Sequence, residues 1–342
     1  MKKANIPIFV AHKGCPNDCV FCNQRRITGT DGTMDSQKCE AIIKEWMGYI
    51  SGEAEIAFFG GSFTGIPIGE QNALLSVASS FVDGEKITGI RLSTRPDYIS
   101  DSIIENLLKY KVTAVELGAQ STDDEVLKRS HRGHDREDII RASKLIKEAG
   151  IKLGLQMMTH LPGADDEKDI ATCLDFIKMK PSEVRIYPTV VLRDTALYDM
   201  YKKGEYVPET IAEAAELVAV LTEEFESAGI SVIRTGLQMS ESLEASFVAG
   251  PYHPAFGEMA KSRQILNRIK KYIGENRPEA IVISCEERAK SKLYGQKREN
   301  IKALEKLCPV KVASAPFGSG ILINGYKIYY TRSEVFAFFF TR

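Results

Sequence analysis

The sequence predicts an α/β fold, a partial (β/α)6 barrel followed by a small C-terminal α/β unit. Three observations predict it. Short apolar stretches alternate with amphipathic ones, giving six βα repeats by about residue 190, the pattern of a parallel sheet closing towards a barrel. Unusual loop sequences follow these apolar stretches one after another, and the functional groups of such sheets gather at the C-terminal ends of the strands. After about residue 255 the pattern changes to a basic helix and a compact mixed unit. The expected division is a barrel with its extension over 1–250 and a basic unit over 251–342.

The expected barrel strands are IPIFVAH, EIAFFGG, GIRLSTR, AVELGAQ, KLGLQMM and EVRIYPTVV. Short apolar runs, rich in β-branched and aromatic residues, suit strands buried on both faces. Helices are expected between them near 36–50, 69–82, 100–110, 135–149 and 165–179. A long helix near 209–227 precedes a further strand, ISVIRTG. The loop GCPNDCVFC follows strand one, GGSFTG ends strand two, STRPD strand three and GAQS strand four. LPG follows strand five, and YPTVV ends strand six. Six marked sequences in order imply a single functional mouth.

The chain has 342 residues, 44% of them hydrophobic, enough for one large domain and one small one. No run of about 18 apolar residues is present, so no membrane span is expected. The N-terminal MKKANIPIFVAHKG is basic and then apolar, but its apolar stretch is short and broken by Pro7. It reads as a first strand, and a cytoplasmic location is expected. The net charge of −1 hides an asymmetry: residues 261–311 carry 14 Lys/Arg against 6 Asp/Glu, which leaves −9 elsewhere. A basic module on an acidic body points to a polyanionic partner, nucleic acid first. A solvated helical face is the alternative.

Three of the seven cysteines, Cys15, Cys19 and Cys22, fall within eight residues. An odd, irregular count argues against a disulfide framework. Their C-x3-C-x2-C spacing suits an iron–sulfur cluster, which thiolates ligate and which in its cubane form needs four ligands. Three cysteines leave one iron open to a small molecule. A zinc site with a remote fourth ligand, or buried structural thiols, are the alternatives; zinc sites more often use paired C-x2-C units, and no second pair is present.

The triplet resembles the signature of the radical S-adenosylmethionine (SAM) superfamily. With it, FFGGSFTG, VELGAQSTDDEVLKRSHRGH, MMTHLPG and VRIYPTVVLRDTALY resemble the radical SAM domain of the Elongator-type tRNA-modifying catalytic subunit. They are more distantly similar to oxygen-independent coproporphyrinogen oxidase. The resemblance covers roughly residues 6–240 and implies a TIM-like partial barrel. It implies a [4Fe–4S] cluster and S-adenosyl-L-methionine as cofactors, a 5′-deoxyadenosyl radical, and a reductant such as flavodoxin or ferredoxin. It implies Cys15, Cys19 and Cys22 as cluster ligands. Gly60, Gly61 and Ser62 would contact the methionine amino group, with a tight βα turn as the alternative. Gln120 and Arg132 would meet the ribose and carboxylate, and arginine suits a carboxylate through paired hydrogen bonds. Backbone satisfaction and a surface salt bridge are their alternatives. Phe21 would pack over the cluster or adenine, and Val190 would support the adenine. Gln156 and Ser93 stand where coproporphyrinogen oxidase has acidic residues.

Tyr187, His253, His160, Tyr98 and Arg234 are candidates for handling substrate, by their placement near strand ends. Further on, a strand AIVIS, a helix over 286–294, the loop Gly295-Gln-Lys297-Arg298, a helix over 299–307 and a strand over 310–314 are expected. This order resembles the KH module, which clamps a nucleic-acid backbone with a G-x-x-G loop. Arg298 replaces the second glycine. Gly295, Lys297 and Arg298 are the candidate RNA contacts; a structural or dimer-forming cap is the alternative. The expected function is a radical SAM enzyme modifying RNA, most naturally a tRNA base. Action on a small metabolite and a non-catalytic iron–sulfur RNA-binding protein are the rivals. The Elongator relatives carry an acetyltransferase domain, for which about 90 residues after residue 250 leave no room, so the group transferred stays open.

Overall fold

The computed structural model describes residues 4–10, 19–22, 34–237 and 241–329. Contacts divide it into two units. One comprises residues up to Thr210 with Glu224–Tyr252; the other comprises Ile211–Glu223 with residues from His253 onward.

In the first unit β1 (Ala4–Phe9) is followed by α1 (Ser36–Tyr49), β2 (Ala54–Phe59), α2 (Ile68–Ser80), β3 (Ile87–Thr94) and α3 (Asp101–Lys109). Next come β4 (Val112–Gln120), α4 (Asp124–Arg129), α5 (Arg136–Glu148), β5 (Lys152–Thr159), α6 (Asp166–Met179) and β6 (Glu183–Pro188). Then follow β7 (Val191–Leu192), α7 (Ala196–Lys202), α8 (Ile211–Ser227), β8 (Ser231–Thr235), α9 (Glu241–Ser246) and β9 (Phe247–Ala249). The helices start where side chains can take up the free N–H groups of the first turn. Asp35, Ser100 and Asp165 each accept one, and Asp135 forms a capping box with Asp138.

The main sheet has the order β1-β2-β3-β4-β5-β6-β8, every pair parallel. It does not close on itself, so it is a partial barrel of the TIM-like kind. The strand ISVIRTG supplies β8 and extends the expected six strands to seven. YPTVV does not continue β6 as expected. The strand ends at Pro188, and Val191–Leu192 turns away to pair antiparallel with Phe247–Ala249. Proline has no N–H to give a ladder, which makes it a natural stop.

Alternation along the strands sorts the residues by face. Ile90, Leu92, Val115, Leu117, Leu153 and Leu155 are buried on the helix side. The concave side carries Glu55, Arg91, Glu116 and Arg185 instead. Arg91 on β3 bonds Glu183 on β6, lies 3.6 Å from Glu55 and 3.9 Å from Glu116. Arg185 approaches Glu116 at 2.7 Å. Three strand spacings separate β3 from β6, about 14 Å in a flat sheet; curvature and long side chains bring their groups together. Gly154 packs beside this network, where a Cβ would be in ordinary contact with Glu116 at 3.4 Å.

The second unit takes the first part of α8 and adds α10 (Phe256–Asn276), β10 (Ile281–Cys285), α11 (Lys290–Tyr294), α12 (Glu299–Glu305), β11 (Val310–Ser314), β12 (Ile321–Ile323) and β13 (Tyr326–Tyr329). Its sheet runs β11-β10-β12-β13, with β10 and β11 parallel and the other pairs antiparallel. The expected helix over 286–294 divides into a 3-10 turn (Glu287–Ala289) and α11. Ile265, Ile269, Ile283, Leu293, Ile301 and Leu304 form the core between helices and sheet. The apolar tail VFAFFFTR lies outside the described residues.

Candidate active site

The mouth of the partial barrel gathers most of the marked sequences. Cys15 lies outside the described residues. Cys19 is buried and Cys22 half-buried, with the Cys22 N–H donating to the Cys19 carbonyl at 2.9 Å. Between them Val20 anchors the segment on two sides. Its N–H donates to Ser130 O and its carbonyl accepts from Leu197 N–H. Arg132, in the HRGH turn, donates from Nη1 to Cys19 Sγ at 3.1 Å and from Nη2 to the Gly118 carbonyl. The resemblance implies a carboxylate as the partner of Arg132; the geometry ties its guanidinium to a cysteine sulfur.

Gly60 has φ +96°, a conformation that non-glycine residues rarely adopt. Gly61 and Ser93 line one narrow cleft with Val10, Phe58, Phe59 and Phe63, and Ser62 is buried beside them. Gln120 sits at φ +72°, and its Oε1 accepts from Gln156 Nε2 at 3.1 Å. Gly118 adjoins both groups: a Cβ there would lie 3.1 Å from the Gln120 amide nitrogen and 3.5 Å from Arg132.

Phe21 and Tyr187 both pack against the cluster of Val126, Met158 and Leu161. Tyr187 Oη accepts from Arg185 Nη1 at 3.3 Å, which links the mouth to the charged network below it. Val190 is buried with Leu192 and Leu243, and Gly250 comes close behind it; a Cβ on Gly250 would be 3.2 Å from Val190 Cα.

Other candidates are engaged elsewhere. His160 has φ +56°; its N–H donates to Asp169 Oδ2 at 2.8 Å and its ring bonds the Val207 carbonyl. Burial pushes the Asp169 carboxyl well above its usual range. The Tyr98 ring lies under the Arg95 guanidinium at 5.5 Å, and Arg234 pairs with Arg185 in the β6–β8 ladder. His253 belongs to the second unit, where its Nδ1 accepts the Ala255 N–H at 3.0 Å.

His134 escaped the sequence reading, although it ends HRGH. Its ring is buried, and Nε2 lies 3.1 Å from the Ala119 carbonyl. A carbonyl only accepts, so Nε2 carries the proton. Burial, and then the nearby charges of Arg132 and Arg95, hold its pKa down at about 3. The unfolded chain therefore binds a proton below about pH 6.5 that the folded chain refuses, and stability falls as pH drops from there towards 3. Between pH 7 and 5 this costs about 2 kcal/mol. Urea unfolding at the two pH values checks it: His134→Gln, which keeps a donor but does not titrate, is expected to lose that part of the pH dependence.

Two family models match the chain. One, the radical SAM superfamily, covers residues 10–176, and the other, the radical SAM C-terminal domain, covers 181–268. The chain belongs to the radical SAM superfamily of enzymes. Over that region it is homologous to the Elongator-type proteins. It is 34% identical over 195 residues to the tRNA uridine(34) acetyltransferase of Methanocaldococcus jannaschii, a match covering 51% of this chain and 36% of that protein. It is 34% identical over 137 residues to human Elongator complex protein 3, covering 39% and 25%. The archaeal Elp3 structure from Methanocaldococcus infernus superposes with a TM-score of 0.60 at 23% identity, over 80% of this chain and 63% of that one. The archaeal match thus spans about a third of that relative's length.

The cofactors are those of the superfamily, a [4Fe–4S] cluster and S-adenosylmethionine. The described residues fit them. Cys19 offers a buried sulfur with a guanidinium already donating to it, and such a donor favours a thiolate or a cluster sulfur. The same guanidinium is held by the Gly118 carbonyl, which fixes the donor in place. Among the described residues no helix is long and apolar enough to cross a membrane.

Proposed function

We propose that this chain is a cytoplasmic radical enzyme that modifies RNA, with a tRNA base as its target. Cys15, Cys19 and Cys22 hold the cluster, and the Gly60–Ser62 shelf, Ser93, Gln120, Gln156 and Val190 seat S-adenosylmethionine. When bound, these cofactors would supply a 5′-deoxyadenosyl radical, with an electron from a reductant such as flavodoxin or ferredoxin. Arg132 fixes Cys19 and leaves its charge beside the methionine carboxylate. Phe21 shields the site from water, and Tyr187 is the residue offered to substrate.

The observation that carries the RNA reading is the basic loop of the second unit. Lys297 and Arg298 adopt left-handed backbone angles, φ +49° and +61°, and are exposed. The loop is held from inside. Buried Asn300 donates to the Ser262 hydroxyl and carbonyl, and a Cβ on Gly295 would stand 3.0 Å from it. Two cations on a fixed turn suit phosphate contact, and proteins similar to the radical domain are named for a tRNA uridine. Binding of total tRNA to the full chain is expected to weaken steeply with salt. The Lys297→Ala, Arg298→Ala double variant should reduce the slope of log K against log salt by about 1 to 2. A wild-type chain that binds no tRNA at low salt would sink the reading.

A further inference from the structure

The loop that joins β11 to β12 presents a second surface in the basic unit. Phe317 is 83% exposed there, the most exposed large apolar side chain among the described residues. Hydrogen bonds on both sides of the ring fix this loop. Glu286 is 1% exposed and grips the loop twice: its Oε2 accepts the Gly318 N–H at 2.8 Å, and its backbone N–H donates to the Gly320 carbonyl at 3.1 Å. The Ala315 N–H donates to the Cys285 carbonyl at 2.9 Å, continuing the β10–β11 ladder by one residue. Lys327 Nζ reaches the Gly318 carbonyl at 3.4 Å.

Beneath the ring lies a cation. The Arg288 guanidinium sits 4.3 Å from the Phe317 centroid and is oriented by Glu286 Oε1, 2.6 Å from its Nε. One buried carboxylate therefore fixes both the ring and the guanidinium under it. Exposed Glu287 is taken up by Lys290 at 2.5 Å. The surroundings thus present Arg288, Lys290 and Lys327 against Glu286 and Glu287.

We infer that Phe317, backed by Arg288, is a stacking platform for an unpaired nucleobase of the RNA. The inference rests on the RNA reading above and adds to it a site separate from the Lys297–Arg298 loop. An aromatic ring held rigidly into solvent loses little conformational freedom when a base stacks on it. Its outer face offers the π surface that single-stranded nucleic acids use. The guanidinium on the inner face fixes the ring's orientation and supplies positive charge for the flanking phosphates. The platform recognises a base face and not a base edge, so it takes any unpaired base.

The two sites give different signatures, which separates them in one experiment. Binding of a mixed-sequence single-stranded RNA 12-mer to the full, cluster-reconstituted chain is measured against salt. Phe317→Ala is expected to weaken it by roughly 5- to 150-fold, the range of one lost stacking contact, with the salt slope unchanged. Phe317→Tyr is expected to keep the affinity. Phe317→Trp should keep it too, with fluorescence quenched by the 12-mer beyond the change seen for Trp46 in the wild type. An abasic oligomer of the same length should bind wild type and Phe317→Ala alike. If wild type binds the 12-mer with a steep salt dependence and Phe317→Ala binds it equally well, the platform is wrong and the RNA reading stands. If Phe317→Ala instead abolishes self-association, the ring is a contact between copies and the inference falls. If no RNA binds at low salt, both fall.

Discussion

Replacing Cys19 by alanine is expected to abolish 5′-deoxyadenosine formation from S-adenosylmethionine, to background, while leaving the chain folded. The segment that carries Cys19 is anchored through Val20, to Ser130 on one side and Leu197 on the other, and neither bond involves the sulfur. The side chain lost is small, so the cavity is small. What disappears is one of three thiolates for the cluster, together with the sulfur to which Arg132 donates. Two cysteines cannot hold a cubane that already leaves one iron open. Iron and sulfide content should fall with the activity. Cys39→Ala is the control. Cys39 is fully buried on α1, and burial, then Asp35 and Glu40, push its thiol up to about 12. That variant is expected to keep both cluster and activity. A Cys19→Ala chain that still yields 5′-deoxyadenosine would contradict the assignment of the cysteine loop.

Arg91→Met is expected to destabilise the barrel by about 3–5 kcal/mol, the cost of removing one partner from a buried ionic network. Arg91 is buried and meets Glu55, Glu116 and Glu183, which sit on three other strands. Without it Glu116 and Glu183 depend on Arg185, and Glu55 loses its Arg91 partner. A loss of that size is a large share of the stability of an ordinary domain, and urea unfolding should show it as an earlier midpoint. The Arg91→Met, Glu183→Gln pair should be less destabilised than the two single changes summed, because the second removes a charge the first stranded. Full additivity would mean that the two groups do not interact across the lumen. Arg185 joins this network to Tyr187, so the same variants report whether the base of the lumen positions the mouth.

Much of the fold was legible because its signals are local. Asp35, Ser100, Asp135 and Asp165 mark helix starts within one residue of where they occur. Apolar stretches bounded by glycine and proline marked the strands. The charged network was not visible. Arg91 and Glu183 are 92 residues apart, and only the curl of the sheet makes them neighbours. His134 was passed over because nothing local distinguishes a buried histidine from an exposed one. Gly295 was read for what its absent side chain gives a ligand; the structure adds that Asn300 needs the space. YPTVV misleads because valines favour a strand wherever it pairs, and its partner, Phe247–Ala249, lies 55 to 58 residues on in sequence.

The most direct test of the central claim is mass spectrometry of tRNA nucleosides from cells making either the wild-type chain or its Cys19→Ala variant. The account predicts a modified nucleoside present with the wild type and missing, with its unmodified precursor accumulated, in the variant. Identical nucleoside profiles in the two would contradict it.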